Sequence, residues 1–377
     1  MSLASIEWGA KPRKALGSPL LGRLVVDIPL LLTLIVIVVF GLVVLYSAVG
    51  EDAGRVVRQG MRAALGFAAF FVMAQIPPRY LRIWSPWLYC VVLGLLLAVA
   101  VEGEISQGAQ RWLDLGIVRF QPSELMKLAA PMMVAWYLHD RTLPPSFPHL
   151  IALGLIIFVP AILIAEQPDL GTALLVVSAG GLVVLLSGIT VRLILGVAAL
   201  ALAFAPLLWM TMLDYQRQRV LTFLNPESDP LGAGYNIIQS KIAIGSGHLF
   251  GKGWLNGSQA HLEFLPERST DFIFAVLAEE FGMFGAATLL VLYLVLVGRG
   301  LYIASQAQDT FTRLLAGSLS LTFFVYVFVN AGMVSGLLPV VGVPLPFVSA
   351  GGTSMVTLMG GFGILAAVHG HRKLLPA

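Results

Sequence analysis

Asp271 stands where a long polar segment, HLEFLPERST, gives way to the apolar run FIFAVLAEEFG. A carboxylate at such a boundary can accept a proton, cap a helix or hold a cation. Because a charge at membrane depth is costly unless it faces water, a partner or a substrate, its position marks a functional site. His261, Glu263, Glu267 and Arg268 crowd the same end of the loop. Ser269, Thr270 and Asp271 are all good helix caps, so capping is the competing role. If the apolar run is helical, Glu279 and Glu280 lie about 12 to 13 Å further along it. Glu279 would be rotated about 80° from Asp271 and could line the same wall, whereas Glu280 would point away and serve packing or a kink near Gly282.

Four other groupings carry chemistry. In FQPSELMKLAA, Glu124 and Lys127 follow a helix start at i, i+3, either as a structural ion pair or as ligands to a polar substrate. EQPDLGTALL sets Asp169 at a tight turn, where it suits a helix N-cap. GAQRWLDLG offers Arg111 and Trp112, a headgroup anchor or a phosphate clamp, since the guanidinium fork donates two hydrogen bonds to one phosphate. FVSAGGTSM places Ser349, Thr353 and Ser354 around Gly351 and Gly352, a pattern that fits an anion at a helix start or close helix packing. No Walker loop, HExxH, GxSxG or metal-spaced His or Cys pair is present, which argues against ATP-driven, zinc-dependent and serine-nucleophile chemistry. The acids and bases must act directly.

The elements that position these groups are membrane helices. The chain of 377 residues is 58% hydrophobic and only 11% charged, which no soluble core accommodates. Apolar windows at 28–48, 61–77, 84–101, 121–138, 149–165, 169–187, 191–212, 271–298, 311–336 and 350–369 predict an all-α, polytopic protein of ten spans. It forms one domain over 1–377, with a cytoplasmic tail at 1–27 and a large extracytoplasmic loop at 213–270 between helices 7 and 8. With the tail inside, twelve short-segment Lys and Arg lie on the inner side and five on the outer, so both termini are expected in the cytoplasm. Within the loop, YNIIQSKIAIGSGHLFGKGW mixes apolar periodicity with close glycines, which predicts a re-entrant or surface-lying hairpin. The lone Cys90, in an apolar run, reads as a buried small hydrophobe.

The run GKGWLNGSQAHLEFLPERSTDFIFAVLAEEFG, with QRWLDLG, QPSELMKLA, EQPDLGTAL and SAGGTSM in matching order, resembles the SEDS family, its RodA branch more closely than its FtsW branch. That resemblance implies a peptidoglycan glycosyltransferase of the bacterial cytoplasmic (inner) membrane, acting in cell elongation and polymerising lipid II on the outer face. It implies as partners a class B penicillin-binding protein, with MreC and MreD, and no nucleic acid. Carried onto this chain, the family's essential loop aspartate is Asp271, its intramembrane pair is Glu124 with Lys127, and the QPDLGT aspartate is Asp169. Lipid II is α-linked and the glycan β-1,4-linked, so one inverting displacement needs a base, for which Asp271 is the candidate. Glu124, Lys127, Arg111, Lys241, Asp169, Glu267, Ser349, Thr353 and Ser354 are candidates for holding substrate. Arg111, Lys241 or a divalent cation, Mg or Mn, would offset the departing pyrophosphate. A lipid II flippase and a non-catalytic scaffold for the penicillin-binding protein are the alternatives, and the outward clustering of polar motifs favours the polymerase.

Overall fold

Side chains that satisfy the free amides of a first turn set where several helices begin. Asp27 accepts from the Leu30 amide at 3.1 Å and opens α1 (Ile28–Ala48). Asp52 accepts from the Arg55 amide at 3.1 Å and opens α2 (Ala53–Gln75). This start precedes the expected residue 61 because Arg55, Arg58 and Arg62 dilute the hydropathy of two turns that are nonetheless helical. The computed structural model describes residues 25–102, 104–106, 109–114, 119–212, 214–228, 232–258, 265 and 267–372. Residues 1–24 of the expected tail, and within the expected loop residues 213, 229–231, 259–264 (with His261 and Glu263) and 266, lie outside them.

A helix fills each of the ten windows: α1, α2, α3 (Pro78–Glu102), α4 (Pro122–His139), α5 (Phe147–Glu166), α6 (Leu170–Leu186), α7 (Val191–Thr211), α10 (Ile273–Ser305), α11 (Thr310–Val334) and α12 (Thr353–Gly370). Two more, α8 (Asp214–Leu224) and α9 (Ala233–Ser246), lie in the long loop. Seven of the ten are long and apolar enough to cross a membrane; α6 and the apolar part of α7 are shorter, and Glu124, Lys127 and His139 make α4 more polar. The connection from α3 to α4 adds short antiparallel strands β1 (Glu104–Ser106), β2 (Ala109–Asp114) and β3 (Arg119–Phe120) to the all-helical plan. Ile105 pairs with Gln110, and Leu113 with Phe120. Strands this short carry too little period-two pattern to stand out in the sequence.

In a bilayer, lipid is as apolar as leucine, so helices associate through close packing. α2 lies along α12, α10 along α11, and α4 between α3 and α6. Tyr293, Phe323, Phe347 and Phe362 interlock among α10, α11 and α12, with the Phe323 and Phe362 rings edge-to-face at 4.9 Å. α7 differs: apart from Leu193, its described side chains are exposed. Cys90 is exposed on α3 as well, contrary to the buried position expected, because an apolar run in a membrane helix has a lipid-facing side that sequence does not distinguish.

α10 is broken at Gly282, where φ is 65° and ψ is −162°. The segment after α9 fills the break. Lys252 and Gly253 donate their amides to the carbonyls of Glu279 and Glu280, both at 3.0 Å, while Met283 and Phe284 donate to His248 and Leu249 at 3.0 and 3.1 Å. A Cβ at Gly251, itself at φ 81°, would sit 2.0 Å from the Glu280 carbonyl oxygen, so the backbones approach as only glycine permits. The glycine-rich hairpin expected from YNIIQSKIAIGSGHLFGKGW is thus an α9 helix followed by a strap inserted into α10.

At the opposite end of α1, Asp27 also receives the Arg299 guanidinium, at 3.1 Å through Nε and 2.7 Å through Nη2, with His369 Nε2 at 3.6 Å. One buried carboxylate therefore joins α1, α10 and α12. Asp27→Ala removes a cap and the partner of a charged group together, and thermal unfolding of the purified protein is expected to report a loss of about 2 kcal/mol.

Candidate active site

The turn at 267–272 delivers Asp271 just ahead of α10. Its amides close on Glu267, whose carbonyl accepts from Thr270 and Phe272 at 3.2 Å. Phe272 occupies the N-cap position and no side chain caps the helix. Asp271 is therefore not spent on capping, the competing role its position allowed. Its own carbonyl accepts from Asn330 Nδ2 at 2.9 Å, and the same amide nitrogen donates to Val343 at 2.7 Å. Ser349 donates to the Thr270 carbonyl at 2.5 Å and accepts from the Leu345 amide at 2.8 Å, while the Ala350 amide reaches Ser269 at 2.8 Å. Backbone and flanks are thus pinned to the link between α11 and α12.

Burial pushes the Asp271 carboxyl up, to about 6; the negative charges of Glu267 and Asp169 add to the rise and the Arg219 guanidinium opposes it. Those same influences place Asp169, Glu267 and Arg219 each within electrostatic reach of Asp271. Glu267 is exposed and accepts from the Thr270 hydroxyl at 2.7 Å, so it shapes the turn as well as its charge. Asp169 caps α6, accepting from the Thr172 amide at 3.1 Å, and its other oxygen accepts from Gln121 Nε2 at 2.9 Å. Arg111 donates to the carbonyls of Gln167, at 3.0 Å, and Pro168, bracing the turn that presents Asp169. Two backbone carbonyls thus take two of the five donors of the Arg111 guanidinium. Lys241 is exposed on α9 and lies against the Gly336 turn.

Glu124 and Lys127 form the expected pair, 2.6 Å apart and both buried in α4. Lys127 also bonds the Tyr326 hydroxyl on α11, within hydrogen-bonding reach of Ser354 on α12. Glu124 Oε2 is buried with no hydrogen-bond partner among the described residues. An orphaned carboxylate oxygen is costly and leaves this pair with acceptor capacity for a ligand.

A cavity of about 1060 Å³ opens among α2, α3, α4 and α12. Its walls are mostly apolar, with Leu65, Trp84, Leu88 and Val356 among them, and polar groups enter through Arg62, Gly352 and Thr353 beside Trp112. Gln59 links this cavity's rim to the Asp271 turn, donating to the carbonyls of Ser349 and Gly351 at 3.3 and 3.2 Å and accepting from the Gly351 amide and Arg62. The hydroxyls of SAGGTSM therefore divide: Ser349 holds the turn, Ser354 meets Tyr326 and Thr353 lines the cavity. Of the three, Thr353 faces the cavity. Glu279 departs from expectation, since Lys252 and Ser258 engage its carboxylate at 2.6 and 3.0 Å. Sequence reasoning missed Asn330, Gln59, Tyr326, Gln121 and Arg219. Asn330 alone carried a usable signal, as an amide inside an otherwise apolar span.

Residues 24–374 match the family model of FtsW, RodA and SpoVE, described as a cell cycle protein. The chain belongs to that family. Within it, Escherichia coli peptidoglycan glycosyltransferase MrdB is 57% identical over 350 residues, which cover 93% of this chain and 95% of MrdB. A chain from a peptidoglycan synthase complex, in a study of how polymerization and crosslinking are coordinated, superposes with a TM-score of 0.81 at 35% identity, covering 92% of this chain and 98% of that one. The rod shape determining protein RodA of Thermus thermophilus superposes with a TM-score of 0.69 at 30% identity, over 92% and 98% of the two chains. The similarity runs to the RodA branch, and the chain is a multi-pass membrane protein.

Removing one partner of the Glu124–Lys127 pair strands the other charge at membrane depth. In a cycle of Glu124→Gln, Lys127→Met and the double variant, the single changes are expected to be non-additive by about 1–3 kcal/mol in stability. Strictly additive losses in thermal unfolding would assign the two residues separate roles.

Proposed function

We propose that this chain is a peptidoglycan glycosyltransferase that polymerises lipid II during cell elongation, with Asp271 as the general base. The observation that carries the reading is a carboxylate freed from capping, fixed through its backbone, and raised to about 6, so that it is ionised yet basic near neutral pH. Asp271 takes the proton of the acceptor's GlcNAc 4-hydroxyl as that oxygen bonds to C1 of the donor MurNAc. The bond from C1 to the phosphate oxygen breaks with inversion, and its electron pair leaves with undecaprenyl pyrophosphate. No enzyme nucleophile is needed. The apolar cavity suits the isoprenoid chain of the lipid carrier, and Arg62 at its polar end suits the pyrophosphate. Glu124, through its unpartnered oxygen, and Lys127 are assigned to the sugar or peptide headgroup.

The reading places the protein in the bacterial cytoplasmic membrane with both termini inside, working with a class B penicillin-binding protein and, in the elongation machinery, MreC and MreD. Among the described residues no three acid, His or Cys side chains converge as a metal site, so no step is derived through a divalent cation.

The test is polymerisation by the purified protein. Asp271→Asn keeps the shape but cannot take a proton, and it is expected to lower the rate by about 10²–10⁴ while membrane insertion persists. A near wild-type rate would end the general-base assignment. Because the base acts as the carboxylate, kcat/KM for lipid II should fall as pH drops through about 6 and hold above it. A flat profile from pH 5 to 8, roughly the window where such a raised carboxyl titrates, would contradict the proposed state of Asp271.

A further inference from the structure

The strap that fills the α10 break also carries an exposed lysine paired with a buried glutamate, with no part in the site described above. Glu279 is fully buried, and Lys252 Nζ reaches its Oε1 at 2.6 Å. Ser258 joins both, accepting from Lys252 at 2.8 Å and donating to Glu279 at 3.0 Å. The next residue, Glu280, is also buried and accepts from the Ser47 hydroxyl at the end of α1. Phe272 and all residues from Ile273 to Glu280 are buried, so the first half of α10 is gripped along its length. That half-helix begins directly after the Asp271 turn and ends at the Gly282 break. It has no continuous helical ladder to the second half, so its position depends on what crosses the break. Across the break run four backbone hydrogen bonds from the strap and the Lys252–Glu279 pair.

We propose that Lys252 and Glu279, with Ser258, form a latch that holds the first half of α10 and thereby positions Asp271 for proton transfer. They are positioning residues, coupled to the reaction only through the half-helix. The inference rests on the reading of Asp271 as the base. Physical cause runs from the latch to the turn: replacing Lys252 takes a cation away from the fully buried Glu279, and replacing Glu279 removes the acceptor that Lys252 and Ser258 share, so in either case the strap loses its side-chain hold on the half-helix. The Asp271 turn then loosens against Asn330 and Ser349, and water reaches the carboxylate. The groups facing Asp271 are Glu267 on its own turn, Asp169 at the start of α6 and Arg219 on α8. Since burial is the largest influence on this carboxyl, its hydration lowers the pH at which it loses its proton.

The experiment measures kcat/KM for lipid II against pH, using the full-length protein purified with its transpeptidase partner. Glu279→Gln and Lys252→Met are each expected to lower kcat/KM about tenfold and to move the acid limb about 0.5–1 pH unit downward. Lys252→Arg, which restores the pair, should stay within about twofold of wild type. Ser258→Ala strands no charge, so it folds even if the others do not, and it should move the limb in the same direction by less. A loss that merely tracks the amount of folded protein, with the acid limb at its wild-type pH in Ser258→Ala and the pair variants, would overturn the latch. Asp271→Asn is assayed alongside: an inactive Asp271→Asn with unshifted latch variants defeats the latch alone, whereas an active Asp271→Asn defeats the base assignment beneath it.

Discussion

One side-chain amide ties down the turn that carries Asp271, the proposed base. Asn330 Nδ2, fully buried in α11, gives its two protons to the carbonyls of Asp271 and Val343. A turn and a link are the two kinds of backbone that cannot satisfy themselves, and in a membrane no bulk water does it for them. By serving both, Asn330 joins the turn before α10 to the segment before α12, and Ser349 and Ala350 repeat the connection nearby. The Asp271 carboxylate can then be kept out of capping and partly out of water, which makes it a stronger base than an exposed aspartate.

Around that junction lie carboxylates whose partners come from the protein itself. At the N-terminal end of α1, Asp27 is engaged by Arg299 and by capping; near the Gly282 break, Glu279 is engaged by Lys252 and Ser258. Glu124 has one buried oxygen without a hydrogen-bond partner among the described residues. In the proposed reading that oxygen and the raised Asp271 carboxyl are the groups assigned to substrate.

Much of this was legible in the sequence where a charge interrupts an apolar run. Asp271, Asp169 and the Glu124–Lys127 pair announce themselves that way, and the ten apolar windows locate ten helices. A kink near Gly282 was expected from the sequence but not its filling, since backbone pairing between segments thirty residues apart leaves no local pattern. The two readings of Ser349 stayed open in the sequence because a hydroxyl near two glycines looks the same whether it meets an anion or, as here, a backbone carbonyl. Gln59 and Tyr326 were invisible for a related reason: each acquires its meaning from a partner on another helix. Helix starts inside basic stretches, as at Asp52, escape a hydropathy window that averages Arg55, Arg58 and Arg62 into the membrane signal.

The proposed role of Asp271 requires an ionised but basic carboxylate near neutral pH, and its protonation can be watched directly. Infrared difference spectra of the protein in lipid nanodiscs, taken against Asp271→Asn over a pH series, isolate the carboxyl band of this one residue. A titration midpoint at about 6 is expected for a base in this environment. A midpoint at the ordinary aspartate value of about 3.9 would contradict it.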